Sequence, residues 1–385
     1  MIDWRRSHLM RLLVALAAAV SVVAAAPPPQ RLTAGSGTIY LGSYAKRIAI
    51  IDEATEKLTG EIPLKTGLPW SVRISSDRTR FYVQAADQEH FEVIDLATRQ
   101  TIDTFTLSEG DKHVRALSYG VDPQHRFMVL VTRTLTKLPD RFDIGPPTFV
   151  QYDLKEHKVV KTVPWTIDPE PQYYFLRLQF SPDGKLLYAF SNEILVLDAT
   201  TFQKLDSWNF SLPNEAGLGR FDLGSMDDAY DEPGYFSALF TMADNVQHRR
   251  LLIVGRVNLA QKSIEFFPLG PAIEHQEVSF ALAPDHKHGY VLLQEPRHYE
   301  LWTVDMPGKR LQSKVEFEGR PRMALRSSSN GRILYIYEAG NTIDFYDADG
   351  FKFLRRMTLD ADMMYDTFHV VPPRVGPHAP SSPQQ

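Results

Sequence analysis

Residues 181–198 read SPDGKLLYAFSNEILVLD, and this stretch contains the two patterns on which the fold depends. It begins with a polar turn at 181–184, where Asp, Pro and Gly favour the backbone conformations that tight turns require. Two apolar runs follow, at 186–190 and 194–197, and the second one ends in Asp198. Short, continuously apolar runs of this kind predict strands that are covered on both faces.

Both patterns return along the chain. The apolar run that ends in Asp has six copies, which end at Asp52, Asp95, Asp153, Asp198, Asp305 and Asp347. Residues 263–269 are interpreted as a degenerate seventh copy that lacks the Asp. Copies of the polar turn occur at 75–78, 121–124, 181–184, 283–286 and 328–331, with a weaker one at 243–245. A period of roughly 40–50 residues built from four short strands is typical of a propeller blade, so the sequence predicts an all-β, seven-bladed β-propeller.

The two ends of the repeat predict how the ring closes. The unit that begins at 38–41 lacks the strand that normally precedes the polar turn, and the final strand at 366–371 has no hairpin after it. We therefore expect the C-terminal strand to complete the first blade, which removes the exposed sheet edges of an open array. The predicted organisation is a signal peptide at 1–26, a linker at 27–37, the propeller at 38–371 and a disordered Pro-rich tail at 372–385.

The N-terminus has the features of a secretory signal. Arg5, Arg6 and Arg11 are followed by an uncharged apolar stretch at 12–23 and by small residues at 24–26. The apolar stretch is short for a membrane span, which needs about 20 residues. We therefore expect cleavage, a periplasmic or secreted location, and no membrane span in the cleaved chain.

Composition excludes several classes of function. The chain contains no Cys, so disulfides, thiolate catalysis, iron–sulfur clusters and attached c-type haem are excluded for this chain. Its net charge is −5, which argues against nucleic-acid binding because that function needs a basic field. No zinc-protease helix motif, nucleophile elbow or phosphate-binding loop is present. The sequence therefore predicts no catalytic residue and no cofactor bound by this chain.

Two insertions interrupt the period, and long loops in compact domains often carry function. Residues 134–147 lengthen the third unit, and residues 213–234 lengthen the connection into the fifth. The second insertion is acidic, and its carboxylates are the candidate ligands for a hard cation such as Ca²⁺: Asp222, Asp227, Asp228 and Asp231. They lack the alternating spacing and central Gly of a known calcium loop, which favours a solvated acidic loop.

The alternation of the Asp-ended runs with the stretch Ser-Pro-Asp-Gly-Lys at 181–185 resembles the YVTN-type secreted seven-bladed propellers. Within that group, residues 133–153 and the order of the insertions are most similar to the β subunit of quinohaemoprotein amine dehydrogenase. The resemblance implies a propeller without a redox group of its own. It implies partners that carry the chemistry: a cytochrome c-like dihaem subunit and a small subunit with a peptide-derived quinone.

Two interpretations of function remain open. The first is a non-catalytic protein-binding platform, with candidate contact residues in and beside the two insertions: Arg141, Phe142, Phe149, Tyr230 and Tyr235. The alternative is a hydrolase or lactonase with a metal or carboxylate site at the mouth of the central channel.

Overall fold

The computed structural model describes residues 32–168, 170, 176–190, 193–209, 218–227, 234–272, 277–295, 297–337 and 340–373. Within these residues every regular element is a β-strand, and the strands form seven antiparallel sheets. Each sheet is one blade of a β-propeller, so the predicted fold is confirmed. Among the described residues there is also no apolar helix of membrane-spanning length.

The described chain contains strands of three to eleven residues. In chain order they are β1 (Thr38–Ser43), β2 (Arg47–Asp52), β3 (Lys57–Pro63), β4 (Pro69–Ile74), β5 (Arg80–Ala85), β6 (His90–Asp95), β7 (Gln100–Thr106), β8 (Lys112–Val121), β9 (Phe127–Lys137), β10 (Phe142–Ile144), β11 (Thr148–Asp153), β12 (Lys158–Pro164), β13 (Arg177–Phe180), β14 (Leu186–Phe190), β15 (Ile194–Asp198), β16 (Lys204–Trp208), β17 (Leu218–Asp227), β18 (Tyr235–Asp244), β19 (Arg249–Asn258), β20 (Ser263–Pro271), β21 (Glu277–Leu282), β22 (His288–Glu295), β23 (His298–Asp305), β24 (Arg310–Glu316), β25 (Ala324–Ser327), β26 (Ile333–Tyr337), β27 (Thr342–Asp347), β28 (Phe353–Thr358) and β29 (Met363–Val371).

The ring closes as the two incomplete ends predict. Blade one consists of β29, β1, β2 and β3, in that order across the sheet. Blades two to seven take β4–β7, β8–β12, β13–β16, β17–β20, β21–β24 and β25–β28. The C-terminal strand β29 runs antiparallel to β1, with Val371 opposite Thr38 and His369 opposite Tyr40. The first and last strands of the propeller therefore share one sheet.

Antiparallel alternation defines two faces of the ring. The hairpins between strands one and two and between strands three and four of each blade lie on one face, here called the turn face. The hairpins between strands two and three, and the links from one blade to the next, lie on the opposite face, here called the crossover face. Both sequence patterns end on the turn face, where strand one turns into strand two and strand three into strand four.

The repeated Asp residues stabilise turns, as their sequence context predicts. Asp52 accepts a hydrogen bond from the backbone N–H of Thr55 at 2.8 Å, and Asp198 accepts one from Thr201 at 2.7 Å. In the polar turns, Asp183 accepts from the N–H of Lys185 at 3.1 Å. Short carboxylates that cap turn N–H groups in this way need no catalytic explanation.

Blade five corrects the predicted register of the repeat. Its third strand is β19, which ends in Asn258, and the side-chain oxygen of Asn258 accepts a hydrogen bond from Gln261 N at 3.0 Å. Asn258 thus takes the place of the repeated Asp, whereas residues 263–269 lie in the fourth strand β20. The supposed weak turn copy at 243–245 joins β18 to β19 and so lies on the crossover face.

The hydrophobic core lies between neighbouring blades. One cluster packs Ile48 and Ile50 of blade one against Phe81 and Val83 of blade two, and all four side chains are fully buried. Burying one such side chain contributes about 1.5–3 kcal/mol. Because each blade is covered on both faces, its central strands need no polar alternation.

The chain is bonded to the ring before the first strand begins. Gly37 N donates to Glu53 Oε2 at 2.9 Å, and the side chain of Asn330 donates to Thr33 O at 2.9 Å. Part of the predicted linker at 27–37 is therefore attached to blades one and seven. The predicted signal peptide at 1–26 and most of the predicted tail, 374–385, lie outside the described residues.

Candidate functional site

The first insertion forms a projecting arm on blade three. Strand β9 runs beyond the end of β11, and its extension pairs with β8 on one edge and with β10 on the other. Backbone hydrogen bonds from Leu138 N to Arg141 O and from Gly145 N to Thr134 O, both 2.8 Å, hold β10 in register. The arm, defined as residues 133–145 with 112–115, is therefore an ordered three-stranded sheet on the crossover face.

Local sequence explains where the arm turns and stops. Pro139 follows Leu138, and its fixed φ suits the tight connection that returns the chain to Arg141. Pro146 and Pro147 follow β10 and have no N–H to continue the ladder, so β10 is limited to three residues.

The arm exposes two large apolar side chains. Phe142 is 58% exposed and Ile144 is 59% exposed, although both lie in a regular strand. Arg141 precedes them, and its guanidinium pairs with Asp140 at 3.2 Å on an exposed part of the surface. Two of the predicted contact residues, Arg141 and Phe142, thus lie together on an accessible strand. Ile144 was missed, although its alternation with Phe142 across Asp143 is visible in the sequence.

The structure corrects the prediction for Phe149. This residue lies in β11, only 1% exposed, and its ring stacks on Trp165 and Phe202 at centroid distances of 4.7 and 5.0 Å. Phe149 therefore belongs to the core and has no surface to offer a partner.

Tyr235 is distant from the arm in the topology of the ring. It begins β18 of blade five on the turn face, where its hydroxyl accepts a hydrogen bond from Asn258 Nδ2 at 2.8 Å. The guanidinium of Arg256 lies 4.6 Å from the centre of its ring. The structure does not bring Tyr235 together with Arg141 and Phe142, and Tyr230 lies outside the described residues.

The acidic insertion is in part a strand. Asp222 and Asp227 both belong to β17, the innermost strand of blade five, so their Cα atoms are about 16 Å apart at the usual rise per residue. The carboxylate of Asp222 accepts a hydrogen bond from Arg250 Nη2 at 2.6 Å. Asp228 and Asp231 lie outside the described residues.

The channel mouth on the turn face is bordered by two arginines and other polar side chains. A cavity of about 220 Å³ lies there, bordered by Arg73, Arg177, Gln179 and His369 from the innermost strands of blades two, four and one. Arg73 donates from Nη1 to Tyr119 O and, at 3.2 Å, to Leu178 O, so its guanidinium ties together blades two, three and four.

Asp122 is the one carboxylate among the described residues that line this cavity. It pairs with Arg126 through contacts of 2.7 and 2.9 Å. A carboxylate or metal site for a hydrolase therefore gains no support from the described part of the channel mouth.

A hydrogen-bonded chain joins blades two and three beside this cavity. His125 donates from Nε2 to Asp77 Oδ2 at 2.9 Å, and the Tyr82 hydroxyl lies 2.7 Å from Nδ1 of the same ring. Burial raises the pKa of Tyr82 to about 12. Burial would also raise the pKa of Asp77, but hydrogen bonds from His125, Ser75 and Thr79 outweigh it and hold that pKa far below its usual value. A tyrosine so hard to ionise is a poor nucleophile. The hydrogen-bonded residues Asp77, His125 and Tyr82 instead hold blades two and three together.

His298, Glu300 and Glu316 form the one cluster of potential metal ligands found among the described residues. One ligand atom of each lies within 4.8 Å of the others. Trp302 Nε1 donates to Glu300 Oε2 at 2.5 Å, and the Lys314 ammonium lies 3.6 Å from the centre of the Trp302 ring. The sequence alone does not reveal this cluster, because Glu316 joins the pair His298 and Glu300 only through the pairing of β24 with β23.

Comparison with known proteins supports the fold. No protein-family model matches the chain, and no curated protein matches it. Among solved structures, hydrazine synthase from Kuenenia stuttgartiensis is similar with a TM-score of 0.50 and 13% identity, over 86% of this chain and 95% of that one. A functionally unknown protein from Desulfotomaculum acetoxidans gives a TM-score of 0.53 and 14% identity, over 88% and 100% of the two chains.

The dihydro-heme d1 dehydrogenase NirN, solved in complex with DHE, gives a TM-score of 0.50 and 11% identity, over 88% of this chain and 76% of that one. Identities this low establish a shared propeller architecture and nothing about activity.

Proposed function

We propose that this chain is a non-catalytic, exported propeller that binds a protein partner through the arm of blade three. The observation that carries this proposal is the exposure of Phe142 and Ile144 on a regular, projecting strand. Large apolar side chains that a folded monomer leaves in water at one place mark interaction surfaces. Aromatic residues in particular supply the central contacts of protein interfaces.

The rest of the described chain supports a platform better than an enzyme. The carboxylates of the repeat hold turns, Asp222 pairs with Arg250, and the channel mouth is bordered by arginines that brace the blades. Each of these groups has a structural task in the ring.

The finer proposal concerns the partner. The resemblance of residues 133–153 to the β subunit of quinohaemoprotein amine dehydrogenase covers the same arm. We propose a partner that carries a redox group, such as a cytochrome c-like subunit with haem or a small subunit with a peptide-derived quinone. In such a complex this chain supplies the docking surface, and the reaction belongs to the partners.

The test is purification of the tagged chain from the exported fraction of its own host, with masses and the visible spectrum of the eluate recorded. The variant carries Phe142→Ser and Ile144→Ser together. The matched control is Leu205→Ser, which removes a side chain 57% exposed on β16 of another blade. We expect wild type and control to retain a defined partner. The amount of partner recovered with the arm variant should be at least about tenfold lower.

Haem absorption in the eluate, together with a small quinone-staining band, would support the amine dehydrogenase-like complex. A colourless, partnerless monomer from wild type would overturn the platform proposal. Retention of the partner by the arm variant would show that the arm is not part of the interface.

A further inference from the structure

Strand β10 has an open edge within the described structure. In an antiparallel ladder, successive residues direct their N–H and C=O groups to opposite sides of the strand. Arg141 and Gly145 bond inward to β9 through Leu138 N and Thr134 O. The alternation therefore points the main-chain N–H and C=O of Phe142 and Ile144 outward, away from β9.

The side chains at this edge are accessible. Phe142 and Ile144, which carry the outward main-chain groups, are also the two residues whose side chains are 58% and 59% exposed. Asp143, between them, faces the other side of the sheet and is exposed as well. Edge strands that must not pair are normally shielded by charge, proline or a covering loop. Here the short length of β10, the prolines that follow it and the carboxylate of Asp143 limit pairing, and no described segment covers the edge.

We propose that the open edge of β10 accepts an extended segment of the partner protein as an additional antiparallel strand. This inference rests on the proposed function and names the chemistry of the segment. Main-chain hydrogen bonds to Phe142 and Ile144 supply the register, and alternate side chains supply the specificity, as in other cases of strand addition. The segment carries apolar residues opposite Phe142 and Ile144 and a basic residue opposite Asp143.

Charge decides between a different protein and a second copy of this chain. In the register that pairs all three residues of β10 with those of a second copy, a twofold axis would place Asp143 directly opposite its own equivalent, and like charges opposite each other destabilise a sheet. A Lys or Arg at that position would instead form an opposite-charge pair. The edge therefore favours a segment with the pattern apolar–basic–apolar.

The test uses two labelled, blocked nonapeptides with the central sequence Val-Lys-Val or Val-Glu-Val, titrated with the full chain up to about 1 mM and followed by fluorescence anisotropy. We expect wild type to bind the Lys peptide at least about tenfold more tightly than the Glu peptide. Asp143→Lys is expected to reverse this preference, because it reverses the charge that the central residue meets.

A second pair of variants separates backbone from side-chain contacts. Ile144→Pro removes an outward N–H that β9 does not use, and proline is tolerated at such edge positions. Ile144→Ala removes the side chain and keeps the N–H. We expect Ile144→Pro to weaken binding of the Lys peptide at least about fivefold more than Ile144→Ala does, since each lost main-chain contact also disturbs the strand register.

Equal effects of Ile144→Pro and Ile144→Ala, or no binding of either peptide, would overturn strand addition. If the Phe142→Ser, Ile144→Ser variant still loses its native partner in that case, the platform proposal stands and docking occurs through side chains alone. A dimer of wild type in sedimentation that Ile144→Pro abolishes would assign the edge to a second copy and would also overturn the inference.

Discussion

The hydroxyl of Tyr335 donates a 2.7 Å hydrogen bond to Oε1 of Glu53, across 282 residues of sequence. Tyr335 lies in β26 of blade seven and Glu53 follows β2 of blade one, so the bond crosses the seam where the ring closes. The same carboxylate accepts Ser329 N at 3.0 Å and Gly37 N at 2.9 Å. Glu53 is fully buried and thus joins the N-terminal segment, the first blade and the last blade.

Replacing Glu53 with Gln should weaken this seam. In either orientation, the amide nitrogen of Gln replaces an oxygen that accepts a hydrogen bond from Gly37, Ser329 or Tyr335 and leaves buried donors unpaired. We expect a loss of about 1–3 kcal/mol in the free energy of unfolding, measured by chemical denaturation. The control is Glu265→Gln, whose side chain is 74% exposed and which should change stability by less than about 0.5 kcal/mol. Equal effects of the two variants would contradict a structural role for the seam carboxylate.

The pH dependence of the free energy of unfolding should reflect the titration of the Glu53 carboxyl. Burial raises the pKa of the Glu53 carboxyl above 4.5, and the hydrogen bonds from Ser329, Tyr335 and Gly37 offset this only in part. The folded state therefore binds the proton more tightly than the unfolded state. The resulting contribution to the free energy of unfolding is present below pH 4.5 and declines as pH rises through the raised pKa.

The measurement compares wild type with Glu53→Gln in denaturant titrations from about pH 4 to pH 7, which spans the window above the usual Glu pKa of 4.5. The stability advantage of wild type should shrink as pH rises. An advantage that grows with pH would mean that the hydrogen bonds to the ionised carboxylate outweigh its burial.

The closing strand should contribute strongly to stability through Phe368. This residue in β29 is 1% exposed, and its ring stacks on Tyr337 of blade seven at a centroid distance of 4.3 Å. Phe368→Ala should cost about 3–5 kcal/mol in the free energy of unfolding. Phe353→Ala removes the same side chain where it is 49% exposed, and should cost less than about 1 kcal/mol. Similar losses for both would show that β29 is loosely held.

The Tyr82–His125 contact should behave as a coupled pair in a double-mutant cycle. His125→Ala leaves the buried Tyr82 hydroxyl without its 2.7 Å partner on blade three, so Tyr82→Phe should then be less costly than in wild type. We expect a coupling free energy of about 0.5–3 kcal/mol from denaturation of the four proteins. A parallel cycle of Tyr82→Phe with Leu205→Ala, on another blade, should be additive. Additive effects of Tyr82→Phe and His125→Ala would show that this contact does not stabilise the junction of blades two and three.

Much of the architecture could be predicted because it depends on short-range patterns. The run 194–197 followed by Asp198, and the turn at 181–184, encode a strand and its hairpin within a few residues. The predicted number of blades is correct, and the position of the Asp-ended pattern is wrong only in blade five, where Asn258 replaces Asp and residues 263–269 belong to the next strand. Asn provides the same side-chain oxygen, so the turn forms although the sequence pattern changes.

The candidate site was predicted in part, and each failure has a physical cause. Phe142 and Phe149 are the same residue type in and just after one insertion, but Phe142 lies in an arm that no described part of a neighbouring blade covers, whereas Phe149 lies between two blades. The sequence predicts a solvated loop for Asp222 because a polar strand resembles a loop in sequence. Its partner Arg250 comes from β19, two strands further along the chain.

The sequence by itself determined the blade repeat, the turns and the incomplete ends that close the ring, because strand and turn formation depends on residues close together in the chain. Only the tertiary structure decided which apolar residues remain in water, which carboxylates are buried or paired, and which strand edge stays open. Those properties depend on the blade that lies alongside, and the ring brings together residues as distant as Glu53 and Tyr335. Phe142, Ile144 and the free edge of β10 are therefore visible as one surface only after the blades have packed.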